Sequence, residues 1–170
     1  MSLETLFYPK NICLLGASTK EKNIGYEILK CIKKGGYSNN VYPVNPKADE
    51  ILGYKNYKTI AELPEDIDLC IVTIPKNIIW ENLNEIVKKN VKNIILITAG
   101  FREVGEEGKE LEDKVLQMLK EKQIRMVGPN CMGIINTLSG SKLNATFVAE
   151  EPEKGAIAFA SQSGALDRKS

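Results

Sequence analysis

A chain of 170 residues is long enough for one domain with a full core, or for one domain and the start of another, and buries roughly 70% of its unfolded surface. Its 23 Lys and Arg against 22 Asp and Glu give a formal net charge of +1, which argues against a nucleic-acid or membrane partner. Apolar runs such as 94–97 are only strand-length, and no basic segment followed by an apolar one opens the chain, so a cytoplasmic protein is expected.

Strand-length apolar runs alternate with helix-period segments, the pattern of an α/β fold: a Rossmann-like, doubly wound, mostly parallel sheet with helices on both faces. The first strand is read at Ile12 to Leu15, closed by Gly16. From Ile24 the period changes, with Ile24, Ile28, Leu29 and Ile32 on one face of a helix that stops at Gly35-Gly36. Val41 to Val44 forms the second strand. Residues 51–64 read as a loop with a short helix, because Thr59 to Glu62 has the capping-box pattern.

Leu69 to Ile74 reads as a buried strand ending at Pro75, and the next helix carries Ile79, Leu83, Ile86 and Val87. Val91 to Thr98 contains a fourth strand. A charged helix then turns Leu111, Val115, Met118 and Leu119 inward, and Ile124 to Val127 is a fifth strand stopped by Gly128-Pro129. From Asn136 to Thr146 the pattern weakens into a polar stretch. A fresh apolar run, Ala156 to Ala160, ends in Ser161-Gln-Ser-Gly164. A parallel strand needs a crossover segment, so the domain boundary is expected near Glu151 to Lys154. Residues 1–150 then form one domain, and 151–170 a linker and the first strand of a second. An extra edge strand on the first sheet is the alternative.

Ligands of open parallel sheets bind beyond the carboxyl ends of the strands, so the segments that follow each strand are the candidates for a site. Gly16-Ala17-Ser18 and Lys20, leading to Gly25 in the helix, offer a tight turn, hydroxyls, backbone N–H groups and a helix N-terminus to an anion. The spacing is not G-x-G-x-x-G. Asn45-Pro46-Lys47 follows the second strand, where a dinucleotide-binding unit carries an acid for the ribose hydroxyls. An amide and an ammonium there suit a ribose bearing a phosphate, so the ligand class moves from NAD toward coenzyme A or NADP.

Thr73-Ile74-Pro75 forces an extended exit along which a ligand arm can lie, and Thr98-Ala99-Gly100 permits close approach, with Phe101 beside it as an apolar wall. Gly128-Pro-Asn-Cys-Met-Gly133 is a constrained loop in which Asn130 is the better polar contact. Cys131 lacks an activating partner and is not read as a nucleophile. The 4 cysteines, Cys13, Cys31, Cys70 and Cys131, have no C-x-x-C spacing and the chain has 0 His, so reduced thiols and no metal are expected.

Together these residues resemble the CoA-binding domain of the ADP-forming acyl-CoA synthetases, the family that includes the alpha subunit of succinyl-CoA synthetase. The resemblance is carried in order by the loop at Gly16, Val44 to Lys47, Asp68 to Pro75, Thr98 to Gly100, Gly128 to Cys131 and Ser161 to Ala165. It implies a domain that takes coenzyme A or acyl-CoA, with Gly16 to Ser18, Lys47, the Ile74-Pro75 corner and the Thr98 to Gly100 turn around the ligand. It also implies a parent enzyme converting acyl-CoA, ADP and phosphate to acid, ATP and CoA through a phosphohistidine. Ser161, Ser163 and Gly164 match that enzyme's phosphate-holding helix cap. The phosphohistidine belongs to a flavodoxin-like domain and ADP to an ATP-grasp portion, both beyond this chain. With no histidine, the chain is expected to contain no catalytic residue and to bind CoA without turnover. Competing readings are the regulatory CoA-binding module of a protein acetyltransferase and an NADP-binding Rossmann domain.

Overall fold

In the computed structural model, residues 3–138, 140–148 and 155 are described. A parallel sheet of five strands forms its centre, built from β1 (Asn11–Leu15), β2 (Asn40–Val44), β5 (Leu69–Val72), β6 (Asn93–Leu96) and β7 (Arg125–Val127) in the order β2-β1-β5-β6-β7. Two further pairs flank it, β3 (Glu50–Ile51) with β4 (Tyr54–Lys55) and β8 (Gly133–Asn136) with β9 (Leu143–Thr146). The expected α/β fold is present.

The sheet is buried on both sides, which is why its strands read as continuous rather than alternating apolar runs. On one face Cys13, Leu15, Cys70, Val72, Ile94 and Leu96 pack under α3 (Ile79–Ile86) and α4 (Glu106–Glu121). On the other, Ile12, Leu14, Leu69, Ile71 and Ile95 pack with Ile28, Leu29 and Ile32 of α2 (Ile24–Lys34), Leu6 of the short α1 (Glu4–Phe7), and Leu143 and Ala145 of β9. After β1 the chain steps outward to β2, then returns past β1 to β5. The strand order therefore reverses between β1 and β5, the position at which such sheets open a crevice at their carboxyl ends.

Helix starts follow from local chemistry. Asn23 caps α2 by accepting the Gly25 N–H at 3.0 Å, and α4 has Glu106 and Glu107 in its first turn and Lys120 in its last, each favourable to the helix dipole. Ile24, expected on the inner face of α2, is instead 44% exposed. It is the first residue after the cap and leans over the strand ends rather than onto the sheet.

Three further expectations are corrected. Residues 50–55 form the β3–β4 hairpin rather than a loop, and the Glu62 carboxylate accepts from the Lys58 N–H at 3.0 Å, so the capping box does not close on Thr59. The polar stretch 136–146 contains most of the β8–β9 hairpin, whose second strand is buried throughout. Several of its polar side chains are satisfied internally or by the backbone, with the Thr146 hydroxyl donating to Asn144 Oδ1 at 2.7 Å and Asn136 Nδ2 to the Phe7 carbonyl at 2.8 Å. Phe101 is fully buried in the α3–α4 core and offers no wall to a ligand. The apolar run at 156–160, the boundary at 151–154, and Ser161, Ser163 and Gly164 lie outside the described residues.

Candidate functional site

The segments after β1, β2, β5 and β6 and the loop after β7 meet along one edge of the sheet, around three clefts that share residues. The first, ≈ 390 Å³, lies between Thr73-Ile74-Pro75, Thr98-Ala99 and Asn130-Cys131. The second, ≈ 300 Å³, lies between Gly16-Ala17, Asn45-Pro46 and Ile74, floored by Leu15, Val44 and Ile60. Ile74 borders both. The third, ≈ 180 Å³, is lined by Ser18, Thr19, Lys20, Asn45 and Lys47 and so combines two ammonium groups with two hydroxyls. Asn45 joins it to the second.

Gly16 makes this possible. It sits at φ +90°, and a Cβ there would approach Thr73 Oγ1 to 2.6 Å and the Ile74 backbone N to 3.1 Å, so the loop lies close against the segment that follows β5. Gly25, which borders none of these clefts, is its counterpart: a Cβ on Gly25 would lie 2.0 Å from the Gly16 carbonyl oxygen, so α2 rests directly on the loop. The N–H groups of Ala17, Ser18 and Thr19 donate to no group among the described residues, whereas that of Lys20 donates to Ser18 Oγ at 3.1 Å. A run of open backbone donors beside two lysines is suited to a phosphate.

Several side chains expected to face a ligand hold the loops together instead. Asn45 Nδ2 donates to the Ala17 carbonyl at 2.6 Å, and its Oδ1 accepts the N–H groups of Lys47 at 2.8 Å and Ala48 at 3.2 Å. The Thr73 hydroxyl is turned to the Leu15 and Gly16 carbonyls, and the Thr98 hydroxyl donates to the Ile74 carbonyl at 2.7 Å. Gly100 borders no cleft; a Cβ there would meet the Lys76 side chain at 3.0 Å. Lys20, Lys47 and Asn130 are exposed.

Cys131 is half-buried with its thiol against the Leu96 and Val127 carbonyls, and burial pushes its pKa above the ordinary thiol value, only partly offset by hydrogen bonds from backbone N–H groups. A raised pKa keeps it a thiol at neutral pH. Cys13 and Cys70 are buried neighbours on β1 and β5, and burial also raises Cys70. Sequence reasoning missed Ile24, Met132 and Phe147 in the first cleft and Lys58, Asn82 and Glu85 in the second. Phe147 and Met132 carry no chemical signature, and Lys58 follows the unrecognised hairpin.

The decisive comparison is with protein families: residues 10–137 match the CoA-binding domain family. The chain belongs to that family. This CoA-binding domain is 44% identical over 164 residues to an acetate–CoA ligase (ADP-forming) of Methanocaldococcus jannaschii, a match covering 96% of this chain and 22% of the ligase. It is also 44% identical over 166 residues to the alpha subunit of acetate–CoA ligase (ADP-forming) II of Pyrococcus furiosus, covering 96% and 35%. Among solved structures, an acetyl-coenzyme A synthetase of Ca. Korarchaeum cryptofilum in complex with phosphate and ADP superposes with a TM-score of 0.89 at 36% identity, over 97% of this chain and 35% of that one. The chain thus spans between 22% and 35% of these relatives. No helix among the described residues is long and apolar enough to cross a membrane.

Proposed function

We propose that the domain holds coenzyme A across the three clefts, as the CoA-binding part of an ADP-forming acyl-CoA ligase. The observation that carries this reading is the graded composition of one continuous edge: two lysines, two hydroxyls and free backbone donors at one end, apolar walls in the middle, and a half-buried cleft at the other. Lys47 and Lys20, with the N–H groups of Ala17 and Ser18, take the phosphates. Gly16, Pro46 and Ile74 border the flat apolar gap that suits the base. Pro75, Thr98, Ala99, Asn130 and Cys131 line the path of the pantetheine arm. Asn45 and Thr73 shape these walls, and Gly25 and Gly100 support them from behind.

In the parent reaction acyl-CoA, ADP and phosphate give acid, ATP and CoA. This chain has 0 His, so it supplies the CoA end of that reaction and no phosphoryl carrier. The flavodoxin-like and ATP-grasp portions are its proposed partners.

Calorimetry against CoA, dephospho-CoA, NAD and NADP tests the reading. CoA should bind more tightly than dephospho-CoA, and Lys47→Ala should cost about 1.5 to 3 kcal/mol, a roughly ten- to hundred-fold loss, the usual worth of a hydrogen bond to a charged group. Equal affinity for CoA and dephospho-CoA removes Lys47 from the 3′-phosphate. Tighter binding of NADP than of CoA turns the site into a nicotinamide-cofactor site.

A further inference from the structure

Lys47 stands on a corner that another residue builds. The corner runs from Asn45 to Ala48, and its two end carbonyls are both gripped by one side chain from the β4 side of the fold. Asn56 Nδ2 donates to the Asn45 carbonyl at 2.7 Å and the Ala48 carbonyl at 2.8 Å, with the Tyr57 carbonyl at 3.1 Å. The main chain reinforces the grip, since the Asn56 N–H donates to the Asp49 carbonyl at 2.9 Å and the Asn45 N–H to the Tyr57 carbonyl at 3.0 Å. Inside the arc, Asn45 Oδ1 receives the N–H of Lys47 itself.

Asn56 is only 6% exposed and borders none of the three clefts, so it does not meet the ligand directly. Its Oδ1 is buried and has no hydrogen-bond partner among the described residues. A buried amide with only its donor half engaged forgoes stability that a fully satisfied or apolar side chain at the same place would keep. What the residue does here is hold two carbonyls at a fixed separation, one on each side of Lys47. Of these the Ala48 carbonyl has a second donor, Lys58 Nζ at 2.6 Å, whereas the Asn45 carbonyl relies on Asn56.

We propose that Asn56 is a positioning residue for phosphate recognition, fixing the Asn45 to Ala48 arc so that the Lys47 ammonium is aimed into the cleft it shares with Ser18, Thr19 and Lys20. This rests on the CoA-binding reading and adds a residue that acts only through the backbone. Its signature is selectivity: without the grip the lysine remains but samples many directions, and the advantage of CoA over dephospho-CoA shrinks.

The experiment measures both dissociation constants for the wild type, Asn56→Ala, Lys47→Ala and the double variant, with circular dichroism to establish folding. Asn56→Ala should lower the CoA over dephospho-CoA preference by about 3- to 10-fold while dephospho-CoA affinity stays within about 2-fold, and adding Asn56→Ala to Lys47→Ala should cost little beyond Lys47→Ala alone, because coupled residues are not additive. Should Asn56→Ala fail to fold, Asn56→Ser, which keeps one donor, is read by the same ratio. An equal loss for both ligands reduces Asn56 to a structural residue, and an unchanged ratio, or fully additive losses in the double variant, overturns the proposal. A wild type without preference for CoA, by contrast, defeats the assignment of Lys47 itself.

Discussion

The turns that follow β1 and β6 use the same packing device and put it to opposite ends. In each, a helix glycine sits directly on a carbonyl of the turn: a Cβ on Gly25 would come within 2.0 Å of the Gly16 oxygen, and one on Gly108 within 1.9 Å of the Phe101 oxygen. After β6, the backbone donors are then filled from within. Glu103 accepts the N–H groups of Gly100 at 2.7 Å and Phe101 at 3.2 Å, and Glu112 that of Arg102 at 3.1 Å. After β1, those of Ala17, Ser18 and Thr19 stay open. A close helix contact builds a rigid turn, and an acid beside the turn decides whether it can receive an anion.

The largest test of this parallel is on stability. Gly25→Ala and Gly108→Ala should each cost about 2 to 4 kcal/mol by chemical denaturation, since backbone rather than a flexible side chain has to move. A loss under about 1 kcal/mol at either site shows that the two contacts are not equivalent. Next, Ser18→Glu places a carboxylate in the open loop, imitating Glu103, and should weaken CoA binding about tenfold or more through like-charge repulsion with a phosphate. Unchanged affinity removes the loop from the anion site.

The smallest effect is pH-dependent. Hydrogen bonds from the Gly100 N–H first, and from neighbouring backbone groups, hold the Glu103 carboxyl below its ordinary pKa. A depressed folded-state pKa gives stability that is present above the ordinary carboxylate value and lost as pH falls through the lowered one. Glu103→Gln should therefore be less stable than wild type near neutral pH by under about 1 kcal/mol, the group being largely exposed, with the gap closing in acid. A gap that persists in acid means the carboxylate charge is not what holds the turn.

The sheet was legible because its strands are buried on both faces, so that Leu69 to Val72 or Ile94 to Leu96 appear as unbroken apolar runs, and the helices because Ile28, Leu29 and Ile32 or Val115 and Leu119 keep a 3.6-residue period. The β8–β9 hairpin was not, since Asn144 and Thr146 look solvated until their mutual hydrogen bond is seen. In the site the loops were legible from Gly and Pro after apolar runs. Side-chain direction was not: Asn45, Thr73 and Thr98 have ordinary ligand-binding chemistry, yet each is spent on a carbonyl of a neighbouring loop. Asn56 could be found only by tracing what fixes Lys47.

Ile74 divides the first two clefts and is itself 9% exposed, its carbonyl tied down by Thr98. A β-branched side chain on a pinned backbone rarely changes rotamer, so the divide behaves as a fixed saddle rather than a gate. A molecule occupying both basins has to bend where it crosses. Under the proposed binding mode, the clefts would therefore select by joint position as well as by charge: a ligand stiff through its middle would fit one basin or the other, and one with a flexible link between two bulky ends would fit both at once.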